Sequence, residues 1–526
     1  MPDNFLHLLN RNMSDLAYIS PELMVVTTFL FALVFDFAVP AERRKSTGYI
    51  CVVGLLIALW LNLQHYQAFM DEWRQNGEFA SKSIFFGMLR YDNFGTFFKF
   101  IVLIGTVISL LLSIHARELF GKNHGEFYLL LVAVCAGGMF LASATNLLMI
   151  YLSLESLSII SYAMAGYLRH DRKSAEAGIK YVIYGAMASG IMIFGMSYLY
   201  GLSGTLNVLD VPNLLGGIDN GIVTQLSNGS MEPGGRGAMI AILAMVFAGF
   251  LYKIAAVPFH YWSPDVYEGA PTTATGFFSV VPKAAGFAVL IRVLCAFFKP
   301  GAAPDAAWFN YHNVEPIIAV LAVLTMTIGN LAALGQTNAK RMLAYSSIAH
   351  AGYMLAGVSV LGNTKGLAAV LFYLVVYLFM NLGAFAVLVA LENIFGGTDL
   401  KQLRGAVRRE PVLCVTLCIF LFSLTGLPPF GGFMGKWFIM VQLADNHHYW
   451  MVFWIGMNSV VSLYYYMKLA KTVAIDQPDE AVASAEATPL VYTCIVVGKS
   501  LALLLLFFNS VPLLSWCQEV LVNLNR

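Results

Sequence analysis

Apolar runs long enough to cross a bilayer recur along the whole 526-residue chain, separated by short polar stretches. The runs are continuous, without the strict alternation of a half-buried strand, so they read as helices that are apolar all round; about 17–25 such residues span a hydrocarbon core of ~30 Å. Fourteen are present, near residues 21–39, 48–66, 94–115, 126–144, 146–168, 178–200, 238–262, 272–298, 314–335, 340–361, 367–392, 412–442, 449–470 and 491–515. The pattern predicts an all-α integral membrane protein of fourteen transmembrane helices. Composition agrees: 59% of residues are hydrophobic and 12% charged, too little charge to cover a water-facing surface.

The polar punctuation sets the orientation. One set of loops carries sixteen basic residues: Arg43, Arg44, Lys45, Arg117, Lys122, Arg169, Arg172, Lys173, Lys340, Arg341, Lys401, Arg404, Arg408, Arg409, Lys468 and Lys471. The opposite set, with both termini, carries eight: Arg11, Arg74, Lys82, Arg90, Arg236, Lys299, Lys365 and Arg526. Basic loops stay cytoplasmic, so both termini are expected on the outer, periplasmic side of a bacterial cytoplasmic membrane. The mixed residues before the first run, among them Asp3, Arg11 and Asp15, lack the basic-plus-apolar design of a cleaved signal, and the chain is read as unprocessed.

The longest hydrophilic interruptions are 67–93, 201–237 and 393–411, none large enough for a folded domain, so residues 1–526 are expected to form one membrane domain with irregular loops. Gly234, Gly235 and Gly237 beside Pro233 mark the second loop as flexible. The prolines carry a repeat signal. The seventh run reads FLYKIAAVPFHYW, with Lys253 and Pro258, and the twelfth reads FSLTGLPPFGGFMGKWF, with Pro428, Pro429 and Lys436. The two runs are five spans apart and cross in opposite directions, the pattern of an inverted repeat. Proline removes a backbone donor, and freed carbonyls are tolerated at membrane depth only against protein or trapped water. Broken, hydrated helices are therefore expected at spans 7 and 12, with a simple proline kink as the alternative.

Ionisable residues inside the spans carry the chemistry. Glu155 lies in NLLMIYLSLESLSIISYAMAGY, Lys253 in span 7, Lys283 in FFSVVPKAAGFAVLIRV, Lys436 in span 12, and Lys180 at the start of span 6. A charge at bilayer depth costs roughly 2.5–3.5 kcal/mol, so packing alone would not select them. Burial penalises a lysine ammonium and a nearby carboxylate restores it, so a shift of the carboxylate switches the lysine between holding and releasing a proton. The alternative is a static Glu–Lys salt bridge. Ser153, Ser156, Ser158 and Ser161 surround Glu155 and offer a polar face. His260 and His350, in LAYSSIAHAGYM, are accessory candidates because histidine relays protons near neutral pH; a structural, hydrogen-bonded histidine is the competing reading. Lys180 is expected either to modulate the relay or to snorkel to the headgroups. Lys99, Lys468 and Lys499 are read as interfacial, and the pattern gives no account of Arg292.

Other chemistries find no support. The seven cysteines form no CxxC pair, there is no phosphate-binding or dinucleotide glycine motif, and the ten histidines are not paired for haem. No cofactor, metal or nucleic acid is expected on this chain.

At these residues the chain resembles the antiporter-like membrane subunits of proton-pumping NADH:quinone oxidoreductase, respiratory complex I, and within them the subunit N branch. LAYSSIAHAGYM, KIAAVPFHYWSPDVYEGAPT and NSVVSLYYYMKL carry the likeness to that branch, whereas Glu155 and Lys253 are shared with cation/proton antiporter subunits. A lysine in span 12 and an end soon after span 14 favour the same branch. The resemblance implies inverted five-helix repeats over spans 4–8 (126–298) and 9–13 (314–470), followed by a terminal helix at 491–526. By resemblance Glu155 is the modulating glutamate, Lys253 its partner, Lys283 the central lysine and Lys436 the outer lysine, with Lys180 and His260 as accessory polar positions. It also implies that NADH, FMN, iron–sulfur clusters and quinone belong to other subunits, with subunits M and K as membrane neighbours. The extended loops 67–93 and 201–237 depart from the family pattern. A sodium/proton antiporter subunit and a purely structural membrane subunit are the competing functions, and DVYEGAPT speaks against the first.

Overall fold

A computed structural model describes residues 12–40, 43–76, 81–119, 124–211, 233–298, 311–362, 364–477, 489–522 and 524. Most of the 201–237 loop lies outside them, although Pro233 to Gly237 already belong to a helix that continues to Ile254. Among the described residues, eleven helices are long and apolar enough to span a membrane, and they coincide with expected spans 1–9, 11 and 14. The other three expected spans are helical but more polar or shorter. Span 10 is Ala339–Val358, span 13 is Tyr449–Ala474, and span 12 is divided into Pro411–Thr425 and Gly431–Asp445.

In chain order the helices are α1 (Ser20–Ala38), α2 (Lys45–Asn76), α3 (Asn93–Ile114), α4 (His124–Ser143), α5 (Leu147–Ala165), α6 (Arg172–Ser203), α7 (Pro233–Ile254), α8 (Trp262–Gly269) and α9 (Thr272–Phe298). They continue as α10 (Tyr311–Leu334), α11 (Ala339–Val358), α12 (Thr364–Phe395), α13 (Pro411–Thr425), α14 (Gly431–Asp445), α15 (Tyr449–Ala474), α16 (Leu490–Phe508) and α17 (Ser510–Leu521). Side-chain caps fix several starts: Asp92, Asn146, Asp171 and Asn338 each accept a hydrogen bond from an amide in the first turn of α3, α5, α6 and α11. The 67–93 stretch is less irregular than expected. Helix α2 runs to Asn76, and an antiparallel hairpin of β1 (Lys82–Ile84) and β2 (Leu89–Tyr91) follows.

Helix α9 is the axis of the bundle, buried along all 27 residues and packed by α3, α4, α7 and α12. Outer helices turn large apolar side chains outward, among them Phe37, Ile183, Phe453 and Tyr464, as a lipid-facing surface requires.

Spans 7 and 12 are interrupted, not merely kinked. Helix α7 ends where Ala256 N–H reaches back to Leu251 O at 2.9 Å, with Ala255 left-handed (φ 58°) between them. Helix α13 ends in the same way: Leu427 N–H meets Phe422 O at 3.0 Å, with Gly426 at φ 89°. This six-to-one closure satisfies helix-end carbonyls at membrane depth. Gly426 takes the conformation freely; Ala255 holds it at a cost of about 1–2 kcal/mol. Beyond the second break, a Cβ on Gly432 would stand 1.9 Å from Ser423 O, so only glycine lets α14 start against α13.

The starts of α5 and α11 share a second device. Leu147 N–H bonds Leu206 O at 2.8 Å and Val208 N–H bonds Thr145 O at 2.9 Å; Ala339 N–H bonds Thr398 O and Leu400 N–H bonds Thr337 O, both at 2.9 Å. In each case a Thr-Asn pair at a helix start bridges to the loop that follows the next helix.

Candidate proton-relay site

Lys253, at the broken end of α7, is 1% exposed and donates to Ser158 Oγ at 3.0 Å. Ser158 lies one turn beyond Glu155 on α5, and Glu155, half-buried, keeps Oε1 free of hydrogen bonds. Among the described residues no ion pair within 4 Å joins Glu155 to Lys253, so a hydroxyl, not a salt bridge, holds the lysine.

Lys283 follows Pro282 inside α9, where the proline leaves one carbonyl of the preceding turn without its amide. Its Nζ donates to Ser347 Oγ at 2.8 Å and Ser347 O at 2.9 Å, and lies 6.0 Å from the centre of the Tyr267 ring. Lys436, near the start of α14, donates to Thr425 O at 2.8 Å, at the last turn of α13, and to Ser459 Oγ at 3.2 Å. Its Nζ lies 4.5 Å from the centre of the Tyr353 ring.

Between Lys283 and Lys436 runs a polar stripe on α11, made by Ser346, Ser347, His350 and Tyr353 at helical spacing. His350 Nδ1 is 2.7 Å from Tyr373 Oη, and Nε2 is 3.2 Å from Tyr466 Oη, which also pairs with Ser346 Oγ. Tyr353 Oη accepts from Asn330 Nδ2 at 2.9 Å, and Asn330 in turn binds Asn458 and Tyr465. His350 thus stands in the polar stripe between the two lysines, with a hydroxyl on each ring nitrogen.

The other expected accessory residues sit apart from that route. Lys180 Nζ is 2.5 Å from Asp265 and 2.6 Å from Glu176. It belongs to an ion-pair network in which Arg341 of α11 grips Asp265 and Glu268 of α8 at 2.8 and 2.9 Å, and Lys173 pairs with Glu268 at 2.8 Å. His260 is buried in the α7–α8 break with its ring 4.2 Å from that of Tyr261 and Nδ1 unpartnered.

Two interfacial readings are corrected. Lys99 is buried and paired with Glu22 at 2.6 Å, because α3 is packed on the inside of the bundle. Lys499 is 4% exposed, because the buried stripe of α16 carries it between Val496 and Leu503. Lys468 is half-buried and donates to Gln336 O at 3.1 Å. Arg292 gains an account: it binds Asp92 through both guanidinium ends at 2.6 and 3.0 Å, and Ala142 O at 2.9 Å.

Sequence reasoning missed the lysines' partners Ser347, Thr425 and Ser459 and the tyrosines around His350. A usable signal was present. Glu155 and Ser347 each come nine residues after the capping Asn of the Thr-Asn pair, and Ser158 and His350 each twelve.

At the start of α9, Glu118 Oε2 and Oε1 accept from Thr272 N and Thr273 N at 2.9 and 3.2 Å and cap the helix that carries Lys283. Burial and the neighbouring Glu392 push the Glu118 carboxyl up to about 7, against the pull of Lys340 and these amides.

Residues 144–462 match the family described as NADH:quinone oxidoreductase/Mrp antiporter, TM. The chain is 37% identical to NADH-quinone oxidoreductase subunit N of Anaeromyxobacter sp. (strain Fw109-5), over 99% of each chain. The chain belongs to the subunit N family. Subunit N 2 of Sorangium cellulosum (strain So ce56) is 40% identical over 91% of each chain. A chain of respiratory complex I from Thermus thermophilus superposes with a TM-score of 0.72 at 30% identity, covering 94% of this chain and 98% of that one. This subunit N chain is therefore an antiporter-like membrane subunit of NADH:quinone oxidoreductase. The family match takes in Glu155, Lys253, Lys283 and Lys436, and begins after α1–α4.

Proposed function

We propose that the chain carries protons from the cytoplasm to the outside of a bacterial cytoplasmic membrane, driven by quinone reduction elsewhere in complex I. Protons enter near Glu155 and Lys253, pass Lys283, cross by His350 and its tyrosines, and leave by Lys436, with water bridging the gaps. The observation that carries the reading is common to Lys253, Lys283 and Lys436: each is buried, and among the described residues each donates to neutral oxygens. A lysine so placed can give up its proton without leaving an unpaired carboxylate behind. Lys180 and His260 take accessory roles, Lys180 by steadying α8.

Spans 4–8 and 9–13 are read as inverted repeats, a reading supported by the matched breaks and the matched Thr-Asn bridges. Subunits M and K are the proposed membrane neighbours, and both termini are placed outside. NADH, FMN, iron–sulfur clusters and quinone are assigned to other subunits.

The test is proton pumping beside quinone reduction in membranes carrying Lys253→Ala, with assembly followed by native electrophoresis. An intact complex that has lost pumping supports the relay; normal pumping removes Lys253 from it.

A further inference from the structure

A second group of buried titratable side chains lies outside the relay, in the first three helices. Glu22 of α1 and Lys99 of α3 pair at 2.6 Å with side chains 0% and 3% exposed. His65 of α2 joins them: its Nε2 is 3.0 Å from Ser20 Oγ, two residues before Glu22. Asn62, one turn before His65, donates to Thr96 O at 3.1 Å, and Thr96 is one turn before Lys99. Each of the three helices thus brings two polar residues to the same level of the bundle.

These side chains have more hydrogen-bonding capacity than they use. Glu22 Oε2 and Asn62 Oδ1 are buried and take no hydrogen-bond partner, and the buried His65 Nδ1 has only the Ala17 backbone beside it. Buried polar atoms are normally satisfied, and unused acceptors on helices tied together by the Ser20–His65, Glu22–Lys99 and Asn62–Thr96 contacts are the setting in which water is ordered. A fixed ion pair needs neither a histidine nor these open atoms.

The group also has a roof. The His65 ring meets the edge of Tyr91 on β2 at 5.2 Å, and Tyr91 packs on Tyr18 at 4.8 Å. Lys82 of β1 lies 4.2 Å from the Tyr18 ring and pairs with Asp15 at 3.2 Å, where it reaches the surface. From α4 the facing titratable group is Cys135, buried within electrostatic reach of Glu22.

We propose that Glu22, His65 and Lys99 form a proton-binding site of their own, separate from the relay, which exchanges its proton beneath the β1–β2 hairpin. A proton taken up on His65 Nδ1 makes an imidazolium. It then passes to Glu22 Oε2, so one N–H bond breaks, one O–H bond forms and the site gains one proton. This site does not depend on the lysine relay.

The experiment is infrared difference spectroscopy of the assembled complex between about pH 5 and 8, in H2O and D2O. Acidification is expected to raise a carboxylic C=O band that shifts in D2O and is missing from Glu22→Gln. His65→Gln should keep the band and displace its midpoint by about one pH unit, tenfold in proton affinity. If Glu22→Gln alone prevents assembly, Glu22→Gln with Lys99→Met, which removes both charges, supplies the same subtraction. A carboxyl band unchanged by loss of Glu22, or no such band, overturns the proposal and leaves a locked ion pair. A midpoint unmoved in His65→Gln overturns the three-residue site.

Discussion

Lys283 and Arg292 stand nine residues apart on the same buried helix, and their surroundings are opposite. Arg292 is held by both oxygens of Asp92, by Ala142 O and by the face of Phe94 at 5.0 Å, with Arg90 a further 3.7 Å from Asp92. Lys283 has one serine and an aromatic ring. Guanidinium does not lose its proton in a protein, and a bidentate carboxylate makes the charge permanent. An ammonium resting on neutral oxygens can shed its proton and leave the surroundings uncharged. The Phe298 end of α9 is therefore stapled to α3, whereas the lysine at its middle rests on neutral partners.

Removing one partner of the staple should have the largest effect on the fold. Arg292→Ala leaves the buried Asp92 with only the longer contact to Arg90 at 3.7 Å and is expected to cost about 3 kcal/mol, seen as loss of assembled complex on native electrophoresis and a lower unfolding temperature. Arg292→Met combined with Asp92→Asn, which keeps an acceptor to cap α3, should recover part of that loss. Equal damage from the double variant would show that the pair is more than a staple.

Lys283→Met should behave in the opposite way. The side chain keeps its shape and loses only a charge that the site does not neutralise, so assembly is expected to survive while pumping falls at least about tenfold, on the order of 1.4 kcal/mol in barrier. If Lys283→Met fails to assemble whereas Arg292→Ala assembles and stops pumping, the assignment of the two residues is reversed.

Glu118, at the start of α9, gives the comparison a pH axis. Its carboxyl sits near 7 in the fold against ~4.3 in an unfolded chain. The fold is therefore favoured while Glu118 is protonated, and that contribution is lost as pH rises through about 7. With Glu392 and the helix-capping amides sharing the site, the effect is about 1–2 kcal/mol. Thermal stability of the complex should decline between about pH 5 and 8 in the wild type and decline less in Glu118→Gln. Parallel profiles would place the titration elsewhere.

These contrasts show what the sequence could carry. The spans were legible because each is a continuous apolar run, and Lys253, Lys283 and Lys436 stood out because a charge inside such a run is costly. The breaks were legible from Pro258, Pro428 and Pro429. Partners were not, because Asp92 and Arg292 are 200 residues apart and nothing local marks them as a pair. Lys99 and Lys499 were misread for a related reason. Position near the end of a run predicts depth along a helix, and says nothing of whether that face meets lipid or the bundle. The setting of His350 was not legible, because Tyr373 and Tyr466 arrive from two other helices.

The smallest predicted effect tests how the neutral partners work. A hydroxyl that only fills space beside Lys283 can be lost at little cost, whereas one that holds the amine in line with His350 cannot. Ser347→Ala removes the contact at 2.8 Å and leaves the one at 2.9 Å to Ser347 O, which is backbone and survives the change. A single net hydrogen bond is worth about 0.5–1.5 kcal/mol, so pumping should fall roughly two- to tenfold, with assembly and quinone binding unchanged. Ser347→Thr, which restores the hydroxyl, should recover the rate. Recovery by threonine and not by alanine would mean that the serine oxygen positions the proton; equal rates in both would mean that the carbonyl alone holds Lys283, and that the neutral setting, not the hydroxyl, distinguishes it from Arg292.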